Sequence, residues 1–444
     1  MSIASTEKPA LDFSELDIAT SPALPEGVTF ERDLDTDDMV VNIGPQHPST
    51  HGVLRLITTL NGELVKNMEP VIGYLHRSKE KMAESRGYFQ YQPTIDRVEY
   101  LSSFYDHYAY VACVEAIAKL KVPRRVQYIR LITMELNRIS SHLLWFGTFL
   151  LDLGASSPFF YAFREREDIF KLFEDVTGAR MMYNYYRFGG VNADIPDGWI
   201  GRVLAFCDTF MKRIDEYETI VTKNPIVLDR TVGQGIMTYQ DCLDYGVTGP
   251  NMRAAGVAQD LRKTAPYSCY DEVEFDVPTD TRCDTYARYL VRMAEMRESI
   301  RIIRQACKQI PGGDGSEVAR LRKEIEERNK LAKSQADAIK ADAIQKGEDP
   351  AQRQGAKFIE EKLDPDLEIW GQKVNLLTFK VPAGEAFVSV ESPRGVLGCY
   401  MVADGSPKPQ RVKWRGASFS NLSILPKLMQ GHLYSDLMAI FGSL

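Results

Sequence analysis

Two histidines four residues apart raise the first question of chemistry: His47-Pro-Ser-Thr-His51 lies within NIGPQHPSTHGVLRL, residues 42–56. A metal site on that pair needs a third ligand and a scaffold that fixes the spacing. Pro48 disrupts any helix, and no cysteine or acidic residue lies close by, so no metal-ligand set is expected. A loop histidine suits proton transfer better, because imidazole titrates near neutrality. The plainer alternative is that one or both rings only bond nearby backbone. Asp152 is the second candidate, a lone carboxylate in the apolar run from Ile139 to Phe163. There it must be hydrogen-bonded, paired or protonated. It either bonds a histidine and tunes its basicity, or caps the turn that follows through Gly154 and Pro158. Tyr100, in Asp96-Arg97-Val98-Glu99-Tyr100, can donate a hydrogen bond to a ligand oxygen, although one tyrosine among 21 carries little weight alone. His76-Arg77 and Arg253 stand in similarly suggestive strings. No Walker A loop, G-x-G-x-x-G or G-x-S-x-G is present, which removes the usual support for nucleotide binding and for a nucleophile-elbow hydrolase.

These residues need elements to position them. Met39 to Ile43 reads as a strand, and Val53–Leu60 and Glu63–Glu69 flank Asn61-Gly62, a hairpin signal. HPSTH is then a loop between strands. From about Gly73 the period becomes helical, with one helix expected over Asp96–Leu120. The next opens after Pro123, where Ile129, Ile132, Leu136, Ile139, Leu143, Phe146 and Leu150 form a core stripe. Beside it runs a second stripe: Arg138, His142, Trp145, Phe149 and Asp152. Further helices are expected over about Pro158–Thr177, closed by Gly178, and around Asp197–Thr222 and Thr281–Ile310. Pro311-Gly-Gly-Asp-Gly315 reads as a linker. The charged stretch Asp314–Gly347, with its thin stripe of Val318, Leu321, Ile325, Ala336 and Ile339, reads as a surface helix or one docking on a partner. Strands return at Ala386–Glu391, Val396–Ala403 and Arg411–Arg415. The expected organisation is therefore an acidic extension (1–38), a β unit (39–72), a helical core (73–310), a linker with a charged helical segment (311–382) and a β-containing C-terminal region (383–444). The fold class is mainly α with β units near both termini, α+β.

Bulk properties exclude other classes. The 444 residues are 44% hydrophobic and 26% charged, an ordinary globular balance, with a net charge of -7. Nucleic acid is not an expected partner of so acidic a chain. Seven cysteines, none in a C-x-x-C, argue against a disulfide framework and against a self-contained zinc or iron–sulfur site. The first 38 residues carry neither a transit-peptide pattern nor a secretory h-region. Ile139–Phe163 fails as a membrane span, because Asp152 sits inside it and Gly154 and Pro158 break it.

Several strings in fixed order then resemble one family: GPQHPSTHGVLRL, IGYLHRSKEK, DRVEYLSSF, RLITMELNRISSHLLWFGTFLLDLGASSPFFYAFRERE, TGAR and TGPNMRAAGV. They resemble the D-type subunits of bacterial NADH:quinone oxidoreductase, respiratory complex I, which are relatives of the nickel–iron hydrogenase large subunit. The likeness runs from about Met39 to the end of the chain, apart from residues 312–382. It implies a hydrogenase-large-subunit-like fold without the two cysteine pairs that bind nickel and iron. It implies a proton-translocating quinone reductase active only within a multisubunit complex, peripheral on the cytoplasmic side of the bacterial inner membrane. Quinone is the implied substrate, no cofactor is held by this chain alone, and the terminal iron–sulfur cluster belongs to a partner subunit, alongside other peripheral-arm and membrane subunits. By the resemblance, His51 and Tyr100 match the quinone-headgroup residues and Asp152 the aspartate that bonds the histidine. Arg77, His47 and Arg97 match residues of the pocket or the cluster's surroundings. Met182 stands where the family often has a histidine near the cluster, which implies a cluster potential that is lower and less pH-dependent. Two other readings keep their place: the same quinone site fed by ferredoxin, and a non-catalytic scaffold. The chain ends at Phe441-Gly-Ser-Leu444, short of the family tail that the resemblance implies.

Overall fold

The core stripe is where the molecule is built. Ile129, Ile132, Leu136, Ile139, Leu143, Phe146 and Leu150 recur at steps of three and four, and none of them is accessible to solvent. They lie on one helix, Arg124–Asp152. The structure is a computed structural model; it describes residues 38–346, 349, 357–358, 360–369 and 379–444. The main helices are α1 (Ser103–Ala118), α2 (Arg124–Asp152), α3 (Ser156–Thr177), α4 (Trp199–Tyr217), α5 (Thr285–Gln309) and α6 (Gly315–Gln345). α2 packs against α3 on one side and α5 on the other, and α4 bridges those two flanks. An apolar stripe on a 29-residue helix has enough length to touch all of them. Shorter helices fill the remaining corners.

Small antiparallel sheets lie near both ends. β1 (Met39–Ile43), β2 (Arg55–Asn61) and β3 (Leu64–Val71) form a sheet in the order β1-β2-β3. Gly62-Glu63 makes the turn between β2 and β3, with Asn61 paired to Leu64 at its base. Along β2 the inward residues Leu56, Thr58 and Leu60 alternate with half-buried ones, the period of two that a one-sided sheet requires. Leu56 and Leu60 share a second apolar cluster with Met237, Cys242, Ile424, Leu425 and Leu428. β4 (Gly384–Ser392), β5 (Gly395–Ala403) and β6 (Arg411–Arg415) form the other sheet, against which α1 packs. The chain is thus mainly helical with β units near both termini, as expected from the sequence.

One expected element is corrected. Asp96–Leu120 is not a single helix: a 3-10 turn covers Gln92–Arg97, the chain breaks, and α1 begins only at Ser103. The side chains explain the break. Asp106 accepts the Glu99 N–H at 2.6 Å, Ser103 donates to the Asp96 carbonyl at 3.0 Å, and Asn137 of α2 donates to the Leu101 carbonyl at 3.0 Å. Those groups take the places of ladder partners. The charged stretch does form a helix, α6, whose contact with the body is a thin seam: Val318, Ala336 and Ala343 are buried and its other faces are largely open. The acidic extension lies outside the described residues up to residue 37, as do parts of the segment between α6 and β4. Among the described residues no helix is long and apolar enough to cross a membrane, and the run Ile139–Phe163 is two helices joined by a turn.

Candidate functional site

The HPSTH segment is a miniature hairpin. Gln46-His47 pairs antiparallel with Gly52-Val53, and Pro48–Thr50 make a single 3-10 turn between them. The two histidines differ in what they do. His47 Nδ1 accepts the Ser49 N–H at 3.2 Å, and the Thr50 hydroxyl donates to the His47 carbonyl at 2.8 Å, so His47 shapes the loop. His51 leaves the turn in the left-handed conformation, φ 50° and ψ 30°. Its ring reaches the far end of α2, where Nε2 lies 2.7 Å from Asp152 Oδ2. A carboxylate only accepts, so Nε2 carries the hydrogen and Nδ1 is left for a ligand. The Asp152 side chain is 7% exposed and that of His51 33%, so the pair is covered on the aspartate side and open on the histidine side.

Asp152 is the last residue of α2. The C-terminus of a helix carries partial negative charge and disfavours an unpaired carboxylate, so a hydrogen-bond donor such as the His51 ring is the natural partner there. The same helix anchors Tyr100. Asn137 grips the chain directly after Tyr100, donating to the Leu101 carbonyl and accepting from the Phe104 N–H at 3.3 Å. Asn137 stands about four turns before Asp152, so a single rigid rod carries both the His51 partner and the Tyr100 turn. Tyr100 is 45% exposed, and among the described residues no hydrogen bond joins its phenol to His51 or Asp152. Arg77 and Arg97 are exposed and close to Lys79 in charge terms: after burial, Arg97 and then Arg77 push the Lys79 ammonium below its usual range. Met182 is half-buried, with a left-handed φ of 59°. His76 is exposed.

The second stripe of α2 is the part that sequence reasoning underrated. It faces a buried ionic seam. Burial pushes the Glu135 carboxyl up, yet Arg138 and Arg262, with hydrogen bonds from Tyr270 and Ser299, outweigh it and hold it low. Arg262 also pairs with Asp260 at 2.6 Å, and Arg253 joins Glu295 at 2.7 Å and Glu391 at 2.8 Å. His142 shares Glu295 at 2.8 Å, and burial drives its imidazole down to about 4 against that carboxylate. Closer to the site, the Arg292 guanidinium lies 4.5 Å from the centre of the Trp145 ring, which stacks on Phe149. Arg253 therefore belongs to the interior, not to an open pocket. The signal was available in ELNRISSH, where Glu135, Arg138 and His142 share one face at steps of three and four.

Comparison with known proteins now bears on the arrangement. The family described as "Respiratory-chain NADH dehydrogenase, 49 Kd subunit" matches residues 152–444. An NAD(P)H-quinone oxidoreductase subunit of Gloeobacter violaceus is 47% identical over 91% of this chain and 95% of its own length. The chain belongs to the 49 kDa subunit family of the respiratory-chain NADH dehydrogenase. Further relatives show the breadth of the match. The chloroplastic NAD(P)H-quinone oxidoreductase subunit of Staurastrum punctulatum is 46% identical over 92% of this chain and 96% of its own. Its counterpart from Nostoc punctiforme is also 46% identical, over 92% and 96%. As a 49 kDa-type protein the chain is one component of a multisubunit NAD(P)H-quinone oxidoreductase complex. The match to residues 152–444 begins at Asp152, while the relatives extend it over the His51 hairpin and the Tyr100 turn.

Proposed function

We propose that this chain forms the quinone site of its complex, with His51 and Tyr100 facing the headgroup and Asp152 governing the charge of His51. The observation that carries the reading is the 2.7 Å bond from His51 to Asp152, an imidazole open on one side and backed by a carboxylate on the other. Quinone takes two electrons and two protons to become quinol. An iron–sulfur cluster in a partner subunit supplies the electrons when the complex is assembled. In its imidazolium form His51 donates from both ring nitrogens, Nε2–H to Asp152 and Nδ1–H to a quinone oxygen. The exposed Tyr100 hydroxyl donates to the other. Each donor stabilises the oxyanion that develops and then gives up its proton. Once His51 is neutral, Asp152 faces no cation, and this change of charge is what the membrane subunits couple to proton translocation. Arg77, Arg97 and Lys79 form a cationic patch suited to face a partner's anionic cluster, and Met182 lies in the turn that Asp96, the neighbour of Arg97, holds through the Asn184 N–H. His47 maintains the hairpin. The complex acts with the chain peripheral on the cytoplasmic side of the bacterial inner membrane and takes its electrons from NADH.

Photolabelling with a quinone that carries an azide on its ring tests the assignment in the assembled complex. Label on the segment 46–53 or on Tyr100, suppressed by excess unlabelled quinone, is the expected outcome. Label confined to other subunits would refute the site.

A further inference from the structure

Behind the Tyr100 turn lie three ionisable side chains that take no part in proton delivery from His51 and Tyr100. Asp96, Asp106 and His107 are 1%, 0% and 1% exposed. Each carboxylate holds a turn. Asp106 Oδ2 accepts the N–H of Glu99, the residue before Tyr100, at 2.6 Å. Asp96 Oδ2 accepts the N–H of Asn184 at 3.2 Å, in the turn that also carries Met182. Met182 and Asn184 both have positive φ there, so that turn is held by its contacts rather than by backbone preference. The second oxygen of each carboxylate is buried with no hydrogen bond among the described residues, and the same holds for both ring nitrogens of His107. His107 Nε2 nonetheless lies 3.0 Å from Asp96 Oδ1, so that a small rotation of either side chain lines the two atoms up for a hydrogen bond along which a proton passes.

The contrast with Glu135 is instructive. Both Glu135 oxygens are fixed by Arg138, Arg262, Tyr270 and Ser299. The Asp96–Asp106–His107 group has more polar atoms than bonds, a costly arrangement in a buried place and one that allows several protonation states. Burial, then Glu99 and Asp96, push the Asp106 carboxyl well above the usual carboxylate range, with the Glu99 N–H and Lys79 opposing. Lys79 and Glu99 thus face Asp106, Glu99 itself being paired with Arg394 at 2.6 Å. Arg187 and Tyr183 face Asp96 from the other turn, and Arg97 and Arg77 lie beside Lys79.

We propose that Asp96 and His107 form a proton-sharing pair for the quinone reaction and that, with Asp106 holding the Glu99 N–H, they make a positioning cluster that sets the Tyr100 turn relative to the Met182 turn. The inference rests on the quinone-site reading. The chemical step is a proton passing between Asp96 Oδ1 and His107 Nε2, neutral acid and imidazole becoming carboxylate and imidazolium. No other bond changes and no electron moves. As a carboxylate, Asp96 grips the Asn184 N–H more tightly than as an acid, so the proton's position is felt by the turn. None of the three touches the substrate.

The test uses the assembled complex carrying His107→Gln, Asp106→Asn or Tyr100→Phe. Quinone turnover is followed against pH, and the electron paramagnetic resonance signal of the partner's cluster measures assembly. His107→Gln lowers kcat by about tenfold with KM unchanged, as misplacement of a donor does, and flattens the pH profile. Asp106→Asn keeps an acceptor for the Glu99 N–H, leaves KM alone and also alters the profile. A wild-type profile in both variants, a uniform loss with the profile's shape preserved, or failure of both to assemble overturns the inference in favour of a purely structural role. If Tyr100→Phe itself leaves turnover untouched, the quinone-site reading falls. If it cuts turnover while the other two keep the wild-type profile, only the cluster falls.

Discussion

At the scale of single residues, environment separates side chains that look alike in the sequence. His47 and His51 are four apart, but one bonds its own loop and the other reaches Asp152. Asp152 was legible as an oddity because a carboxylate in an apolar run demands a partner. Its partner was not legible in the local pattern, since the residue that meets it lies 101 positions away; only the family resemblance pointed to His51. His142 shows the opposite case, a histidine held neutral by burial. Its folded-state value drops from the ordinary 6.5 to about 4. The folded chain therefore refuses a proton that the unfolded chain accepts. Stability from this group is complete above pH 6.5 and declines as pH falls towards 4, by on the order of 3 kcal/mol in all. His142→Gln can still donate to Glu295, and the pH dependence of thermal inactivation should flatten in that window. An unchanged slope would show that His142 does not set the acid sensitivity.

At the scale of elements, α2 is the ruler of the site. Its core stripe was readable from period alone, and so was the Asn61-Gly62 hairpin. The break before α1 was not, because the groups that interrupt the helix include Asn137 on another helix and Asp106 a turn ahead. The buried seam between α2 and α5 left only its α2 side in the local spacing, as Glu135, Arg138 and His142; its partners escaped, because ion pairs such as Arg253–Glu295 and Arg253–Glu391 join distant stretches. The His51 hairpin depends on Gly44, whose φ is +82° and whose added Cβ would stand 2.0 Å from the Leu54 carbonyl oxygen. Gly44→Ala should destabilise the hairpin locally by about 2–3 kcal/mol, from overlap and backbone strain together. Faster amide exchange across residues 46–53 in the complex, with α2 unaffected, is the expected readout; wild-type exchange there would contradict it.

At the scale of the whole molecule, the sequence announced a mainly helical body with β units near both ends and a chain that works with partners. The surface agrees with that last point. Ile72, Tyr74 and Leu75 are exposed apolar residues, Leu75 to 62%, just ahead of Arg77. Large exposed apolar groups beside charge are the makings of an interface. Leu75→Asp should reduce co-purification of the other subunits of the complex without unfolding this chain, and their full recovery would argue that the surface lies elsewhere. Whether His51, Asp152 and Tyr100 act together on quinone is read from the quinone-reductase turnover of the assembled complex carrying Asp152→Asn, with the partner's cluster content measured alongside. The expected result is a fall of about a hundredfold or more, typical of losing control over a general acid, at unchanged cluster content. Wild-type turnover at full cluster content would contradict it.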